Sequence, residues 1–443
     1  MGGMISGALA VRRFDFAPEG RLASARRETG APMNETRHPL PRAADADWGD
    51  WRWQQRNMLR SAADLEAILD LTDEERRGLS GAAGRFRVGA TPYYASLMDP
   101  HHPHCPVRMQ VVPVAAETDP AEGDLRDPLG EDGHRPVRSI VHKYPDRALL
   151  LAADHCAVYC RHCTRRRITG GEEGAFDRES AAEGIAWIRS RPGIRDVIVS
   201  GGDPLALADD RIGWILEELR AIPHVETLRL ATRAPVVNPM RITDALAARL
   251  RRLAPLFVVT HFNHPKECTP EARAACERLV DRGVPVENQT VLLRRVNSSA
   301  RTIADLNHRL LSWRVRPYYL HQGDLALGTG HLRTPLSAGL SILEALRGHT
   351  SGLAVPHLAV DLPGGAGKVT LQPGWLLGPG DPDVPPAGST GAVAAPGKAR
   401  GHWLRSWRGK PVFYPEPRET DCACPYDEVF YGDREARRQG GNG

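Results

Sequence analysis

The chain has 443 residues, 41% of them hydrophobic and 25% charged, enough apolar content to bury a large α/β core. A formal net charge of +4 over that length is too mild to argue for nucleic-acid binding, so basic residues are to be sought at specific sites. The early apolar run MISGALAV is too short for a membrane span and lacks a cleavage region; no membrane segment or secretion signal is expected, and the chain reads as cytoplasmic.

Residues 1–46 are rich in Arg, Ala, Gly and Pro without periodicity and read as a disordered arm. From DWGDWRWQQRN onward, with Leu65, Ile68, Leu69 and Leu71 at helical spacing, a helical region is expected over 47–140. Six short apolar runs then follow (RALLLAA, DVIVSGG, LRLAT, LFVVTHF, ENQTVLL and RPYYLH). They alternate with amphipathic stretches such as ESAAEGIAWIRSR and RIGWILEELRAI. Repeated β/α units require parallel strands with helical crossovers, which predicts an α/β fold, a partial (β/α)6 TIM-like barrel over 141–375. Active groups in such a barrel belong to the loops at the C-terminal ends of the strands. Residues 376–402, dense in Gly, Pro and Ala, read as a flexible linker, and 403–443 as a C-terminal segment.

Eight cysteines in a long chain without a signal peptide point to metal or redox chemistry rather than disulfides. Cys156, Cys160 and Cys163 stand together in CAVYCRHCTRRR, directly after the first strand of the series. Three thiolates on one loop can hold three irons of a four-iron, four-sulfur cluster and leave the fourth iron open. The alternatives are a zinc site or buried structural cysteines, but no second C-x-x-C pair lies nearby to complete a zinc set. DLPGGAGK at 361–368 fails as a phosphate-binding loop, because Leu362 and Val369 stand where Gly and Ser or Thr are needed. It reads either as a turn with a surface lysine or as Lys368 held for Schiff-base chemistry with pyridoxal phosphate.

In order and spacing, YPDRALLL, CAVYCRHCTRRR, SGGDPL, TRAPVV, THFNHP, NQTVLLRRVN, YYLHQGDL and DLPGGAGK resemble the lysine 2,3-aminomutase family of the radical S-adenosylmethionine superfamily. The resemblance runs from near residue 50 to near residue 370. It implies an isomerase with three cofactors: a four-iron, four-sulfur (4Fe-4S) cluster on Cys156, Cys160 and Cys163, S-adenosylmethionine, and pyridoxal phosphate bound to Lys368 as an internal aldimine. It also implies that Tyr144, Arg147 and Lys143 hold the pyridoxal phosphate group and that Gln289 contacts the cofactors. His162, Gly201, Gly202, Asp203 and His261 would contact S-adenosylmethionine. Arg165 would clamp the substrate α-carboxylate, a task that suits a planar fork of donors.

Asp324 and Asp361 match the family's two aspartates for the substrate's distal ammonium. Two carboxylates facing one site repel each other unless a cation lies between them, so the implied substrate is a cationic amino acid. The first reading is conversion of L-lysine to L-β-lysine through a 5′-deoxyadenosyl radical; arginine is the alternative, and modification of a lysine for a translation factor a further one. The implied partners are an amino acid, an electron donor such as flavodoxin or ferredoxin, and further copies of the chain in a dimer or tetramer. Some positions depart from the pattern. Lys143 stands where Arg is usual, His321 where Tyr is frequent, and VNSSA carries Ser298 and Ser299. Of the family's C-terminal zinc cysteines only Cys422 and Cys424 remain, with Asp427 in the last place, so a degenerate, metal-free terminus is expected. HHPHC at 101–105 reads as solvated loop histidines.

Overall fold

A computed structural model describes residues 45–82, 86–169, 176–381, 383–387, 390–392 and 401–415. The arm expected over 1–46 lies outside them except for its last two residues. The chain divides into two units, one ending at Gln372 and one beginning at Pro373.

In the first unit, nine strands form one sheet in chain order: β1 (Ile140–Tyr144), β2 (Arg147–Ala153), β3 (Asp196–Gly201), β4 (Thr227–Ala231), β5 (Leu256–Thr260), β6 (Val286–Leu292), β7 (Val315–Gln322), β8 (His357–Leu362) and β9 (Gly367–Leu371). From β2 to β8 every pairing is parallel, while β1 and β9 run antiparallel at the two edges. β1 and β9 are not neighbours, so the barrel is partial. The six expected β/α units are β2 to β7, each followed by a helix: Arg178–Arg189, Asp209–Arg220, Asp244–Arg252, Pro270–Val280, Ala300–Ser312 and Leu336–Leu346. Their apolar stripes face the sheet, burying Ile185 and Ile188, Ile215 and Leu219, and Leu306 and Leu310.

Helix starts follow local chemistry. Asp177, Thr243, Thr269 and Ser299 each accept a hydrogen bond from the backbone N–H three residues on. Ser299 is thus the N-cap of its helix, and Ser298 accepts from the N–H of Arg295, which sits at φ +65°. The two serines that depart from the family pattern make the turn between β6 and its helix.

The region over 47–140 is less helical than its leucine stripe suggests. Helices cover Trp51–Arg56, Ala62–Glu66, Asp73–Ala82 and Pro92–Ala95, but none of the residues described between 96 and 139 is α-helical. Seven prolines between 100 and 136 explain the difference, since each removes an N–H and clashes with a preceding turn. Side chains hold this stretch instead. Buried Arg108 donates two hydrogen bonds of 2.7 Å to buried Glu75 and others to the carbonyls of Asp70 and Pro100.

The second unit has a three-stranded antiparallel sheet of β10 (Leu376–Gly380), β11 (Gly401–Arg405) and β12 (Pro411–Pro415). The expected linker therefore begins with a strand. Proline does not exclude this sheet: Pro379, in the expected linker, and Pro411 and Pro415, in the segment after it, all stand on the two edge strands, where a missing N–H is tolerated, and the central β11 has none. Among the described residues no helix is long and apolar enough to cross a membrane.

Candidate active site

The loop leaving β2 carries Cys156, Cys160 and Cys163, and backbone contacts stitch it to the N-terminal region. Val158 bridges Ala90, the Tyr159 N–H donates to the Gly89 carbonyl at 2.8 Å, and the Arg161 N–H to that of Gln110 at 2.9 Å. The four arginines of this stretch divide between tasks. Arg161, 1% exposed, donates to Glu117 and to the Arg87 carbonyl; Arg166 reaches the same carboxylate at 2.8 Å and stacks 3.7 Å from the Phe86 ring. Burial opposes ionisation of Glu117, but the two guanidiniums hold its carboxyl below the usual range. Arg167 pairs with Asp132 at 2.9 Å.

Arg165 alone of the four faces the central cavity. Its Nε lies 3.0 and 3.1 Å from the two oxygens of Glu131 and its Nη2 also donates there, which leaves Nη1 without a protein acceptor among the described residues. Glu131 is buried, yet Arg165 outweighs that burial and keeps its carboxyl below the usual range.

The hairpin of β8 and β9 makes Asp361 and Lys368 ladder partners. The Lys368 ammonium donates to Asp361 Oδ2 at 2.9 Å and to His321 Nδ1, on β7, at 3.2 Å; it also lies 5.1 Å from the centre of the Tyr319 ring. The backbone N–H of Lys368 donates to the Tyr144 hydroxyl at 2.8 Å, and the Arg147 guanidinium stacks 3.9 Å from the Tyr144 ring. Gly365 has φ +79°, and a Cβ on Gly130 would lie 2.6 Å from its nitrogen. Glycine at both places lets the loop carrying Glu131 lie against the hairpin carrying Lys368. Asp324 follows β7. Burial and then the Asp361 carboxylate push its carboxyl up to about 7, against the pull of Lys368, Arg165 and Lys143. Lys143 donates to the Leu129 carbonyl at 2.6 Å.

One cavity of about 560 Å³ takes in Lys143, Tyr144, Arg147, the three cysteines, His162, Arg165, Gly201, Gly202, Asp203, His261, Gln289, Asp324, Asp361 and Lys368. Within the described part of the chain, this brings together every residue singled out for the site. Gly201 has φ +115°, and a Cβ there would lie 2.4 Å from the Ala153 carbonyl oxygen, so glycine is what lets β3 end against β2. Asp203 accepts from the Leu205 and Arg233 N–H groups and the Thr232 hydroxyl, fastening the end of β3 to the loop after β4. Desolvation and then the Arg233 cation lower the His162 and His261 imidazoles, the latter to about 4. The buried Nδ1 of His162 has no hydrogen-bond partner among the described residues.

Cys422 and Cys424 lie outside the described residues. In HHPHC, His101 pairs with Asp70 at 2.6 Å and Cys105 is buried, accepting the Asp99 N–H. Sequence reasoning did not single out Glu117, Glu131, Arg233 or Tyr319. Arg233 had a signal, since TRAPVV follows a barrel strand where active groups belong; the two glutamates sit in stretches without periodicity.

Two family models match, that of the radical SAM superfamily over residues 151–306 and that of lysine-2,3-aminomutase over 343–384. The chain is 47% identical over 345 residues to an L-lysine 2,3-aminomutase from Fusobacterium nucleatum, covering 78% of this chain and 81% of that one. The chain belongs to the lysine 2,3-aminomutase family. An L-lysine 2,3-aminomutase from Clostridium subterminale is 48% identical over 75% of this chain and 80% of its own. A glutamate 2,3-aminomutase from Clostridioides difficile is 39% identical over 83% of each chain.

As an aminomutase of the radical S-adenosylmethionine superfamily, the enzyme uses a 4Fe-4S cluster, S-adenosylmethionine and pyridoxal phosphate, and needs a small-molecule substrate and a reductant. The residues present suit these groups. Cys156, Cys160 and Cys163 are free thiols facing one cavity. Burial raises the thiols of Cys156 and Cys163, so their thiolates call for a bound positive centre. Among the described residues no group of three or more His, Cys, Asp or Glu gathers around a single ion position. A cluster asks less, since each cysteine binds a different iron. The orphaned His162 Nδ1 offers a further polar contact to a ligand.

Proposed function

We propose that the enzyme moves the α-amino group of L-lysine to Cβ, giving L-β-lysine. The observation that carries this reading is the seat of the Lys368 ammonium: a primary ammonium on a side chain already rests on Asp361, with the Asp324 carboxyl close enough to feel both charges. Once Lys368 is engaged with pyridoxal phosphate its ammonium leaves that seat. Two buried carboxylates then face each other without a cation, and a substrate ending in an ammonium restores the balance. A glutamate side chain would add a third negative charge.

When bound, the cluster and S-adenosylmethionine would supply a hydrogen-abstracting radical, and pyridoxal phosphate would supply the carbonyl carbon that keeps hold of the amino nitrogen while it passes from Cα to Cβ. The chain's own residues orient and enclose. Cys156, Cys160 and Cys163 hold the cluster, while His162, Gly201, Gly202, His261 and Asp203 border the S-adenosylmethionine site. Lys368 holds pyridoxal phosphate, with Tyr144 and Arg147 for its phosphate and Gln289 beside it. Lys143, already bonded to the Leu129 carbonyl, supports them through its charge. The open Nη1 of Arg165 receives one oxygen of the substrate carboxylate, while Glu131 fixes the guanidinium plane. The reductant is read as a flavodoxin or ferredoxin, and the assembly as a dimer or tetramer.

The test is anaerobic. The chain is reconstituted with iron, sulfide and pyridoxal phosphate, reduced, and given S-adenosylmethionine with lysine, arginine, ornithine or glutamate in separate reactions. β-Lysine as the main product is expected. β-Arginine alone would reassign the substrate, and β-glutamate would sink the argument from the two aspartates.

A further inference from the structure

Arg233 follows β4 and reaches across to the loop after β2. Its side chain is 8% exposed, and every polar edge is used. Nε donates to the His261 carbonyl at 3.1 Å. Nη2 lies 2.6 Å from Gln110 Oε1, 2.7 Å from Glu267 Oε1 and 2.9 Å from the Tyr94 hydroxyl. Nη1 points elsewhere and stands 2.8 Å from the sulfur of Cys160.

The anion opposite Arg233 is heavily shared. Glu267 is fully buried and also accepts from the Tyr94 hydroxyl, the Gln110 amide and the backbone N–H groups of Asn263 and His264. With four other donors on that carboxylate, the guanidinium keeps positive charge to present at the sulfur. A network this complete over-determines where Nη1 points.

We infer that Arg233 is a positioning residue for the iron-sulfur cluster: by donating Nη1–H to the Cys160 sulfur it raises the cluster's reduction potential. The inference rests on the reading of Cys156, Cys160 and Cys163 as the cluster's ligands. One electron from the external reductant enters the cluster, and no bond or proton changes at Arg233. The added electron makes the cluster more negative and its sulfurs better acceptors, so a fixed cation and N–H at sulfur stabilise the reduced state more than the oxidised one. The pair is buried, so solvent and salt screen it little. Glu267 acts in the opposite sense, because its charge offsets that of the guanidinium.

The experiment follows the reduction midpoint of the reconstituted chain by potentiometric titration with electron paramagnetic resonance, in the absence of substrate and S-adenosylmethionine. Arg233→Gln is expected to shift the midpoint to more negative potential and Arg233→Lys to shift it less. Glu267→Gln is expected to shift it to more positive potential. Unchanged midpoints in all three variants overturn the inference, as do shifts of the same sign in Arg233→Gln and Glu267→Gln, which would report loosened packing. Should Arg233→Gln take up no iron, Glu267→Gln and Arg233→Lys still decide by direction. A wild-type chain that assembles no cluster overturns the ligand assignment and this inference together; a wild type with a cluster and insensitive variants overturns this inference alone. A wrong substrate assignment leaves every midpoint untouched.

Discussion

Asp361 and Lys368 sit opposite each other in the antiparallel ladder of β8 and β9, and their side chains meet at 2.9 Å. The same carboxylate can therefore serve two cations in turn, the chain's own lysine before pyridoxal phosphate binds and the substrate afterwards. Lys368→Ala is expected to abolish the visible absorbance of bound pyridoxal phosphate and all turnover. Iron content and the cluster spectrum should be preserved, because the cysteine loop is tied to other elements. Retained pyridoxal absorbance would show that another amine holds the cofactor.

Asp324→Asn and Asp361→Asn test the ammonium seat from the other side. Removing one member of a buried, hydrogen-bonded charge set costs about 2 kcal/mol or more, so kcat/KM for lysine should fall by about 30-fold or more in each variant. Steady-state kinetics on the reconstituted enzyme read this directly. Kinetics on lysine within a factor of two of wild type in both variants would remove the aspartates from substrate recognition.

The barrel was legible in the sequence because its strands are continuous apolar runs and its helices carry stripes at helical spacing, as in DVIVSGG and RIGWILEELRAI. The β8 and β9 hairpin was not. HLAVDL and GKVTL are short, and the turn between them, PGGA, reads as a loop; the two pair as an antiparallel ladder in which Asp361 faces Lys368. Cys156, Cys160 and Cys163 could be singled out because three thiols on one loop have few structural uses; Lys368 could not be told from a surface lysine on a turn by its own residues, and only the family resemblance of the surrounding motifs picked it out. Glu131 and Glu117 could not be singled out. They lie among seven prolines, with no periodicity to place them, and only the four arginines from 161 to 167 imply that carboxylates must be near.

Glu117 carries two buried guanidiniums, those of Arg161 and Arg166, and so couples the N-terminal region to the cysteine loop. Glu117→Gln leaves both cations short of a partner in the interior, an effect of about 3 kcal/mol on stability. A lower urea midpoint is expected, with reduced iron uptake at the same protein concentration. The exposed Arg195 to Glu226 pair is the control, and Arg195→Gln should leave the midpoint unchanged. Equal midpoints for Glu117→Gln and wild type would mean that the coupling does not hold the loop.

Asp324 predicts a dependence of stability on pH whose sign is opposite to that of an ordinary paired carboxylate. Its folded carboxyl titrates near 7, raised by burial and then by Asp361, against 3.8 when unperturbed. Between those values the folded chain keeps a proton that the unfolded chain has lost, so this group's contribution is fully present below about pH 4 and lost as pH rises through 7. In the cofactor-free protein, Asp324→Asn should therefore be stabilising by about 1–2 kcal/mol at pH 8 and neutral near pH 4, a figure set below the full shift because the buried asparagine amide carries a desolvation cost of its own. Thermal unfolding of both proteins across that range measures it. A variant that gains nothing at pH 8, or gains the same at pH 4, would mean that the two carboxylates do not confront each other, and the need for a cationic substrate would lose its physical basis.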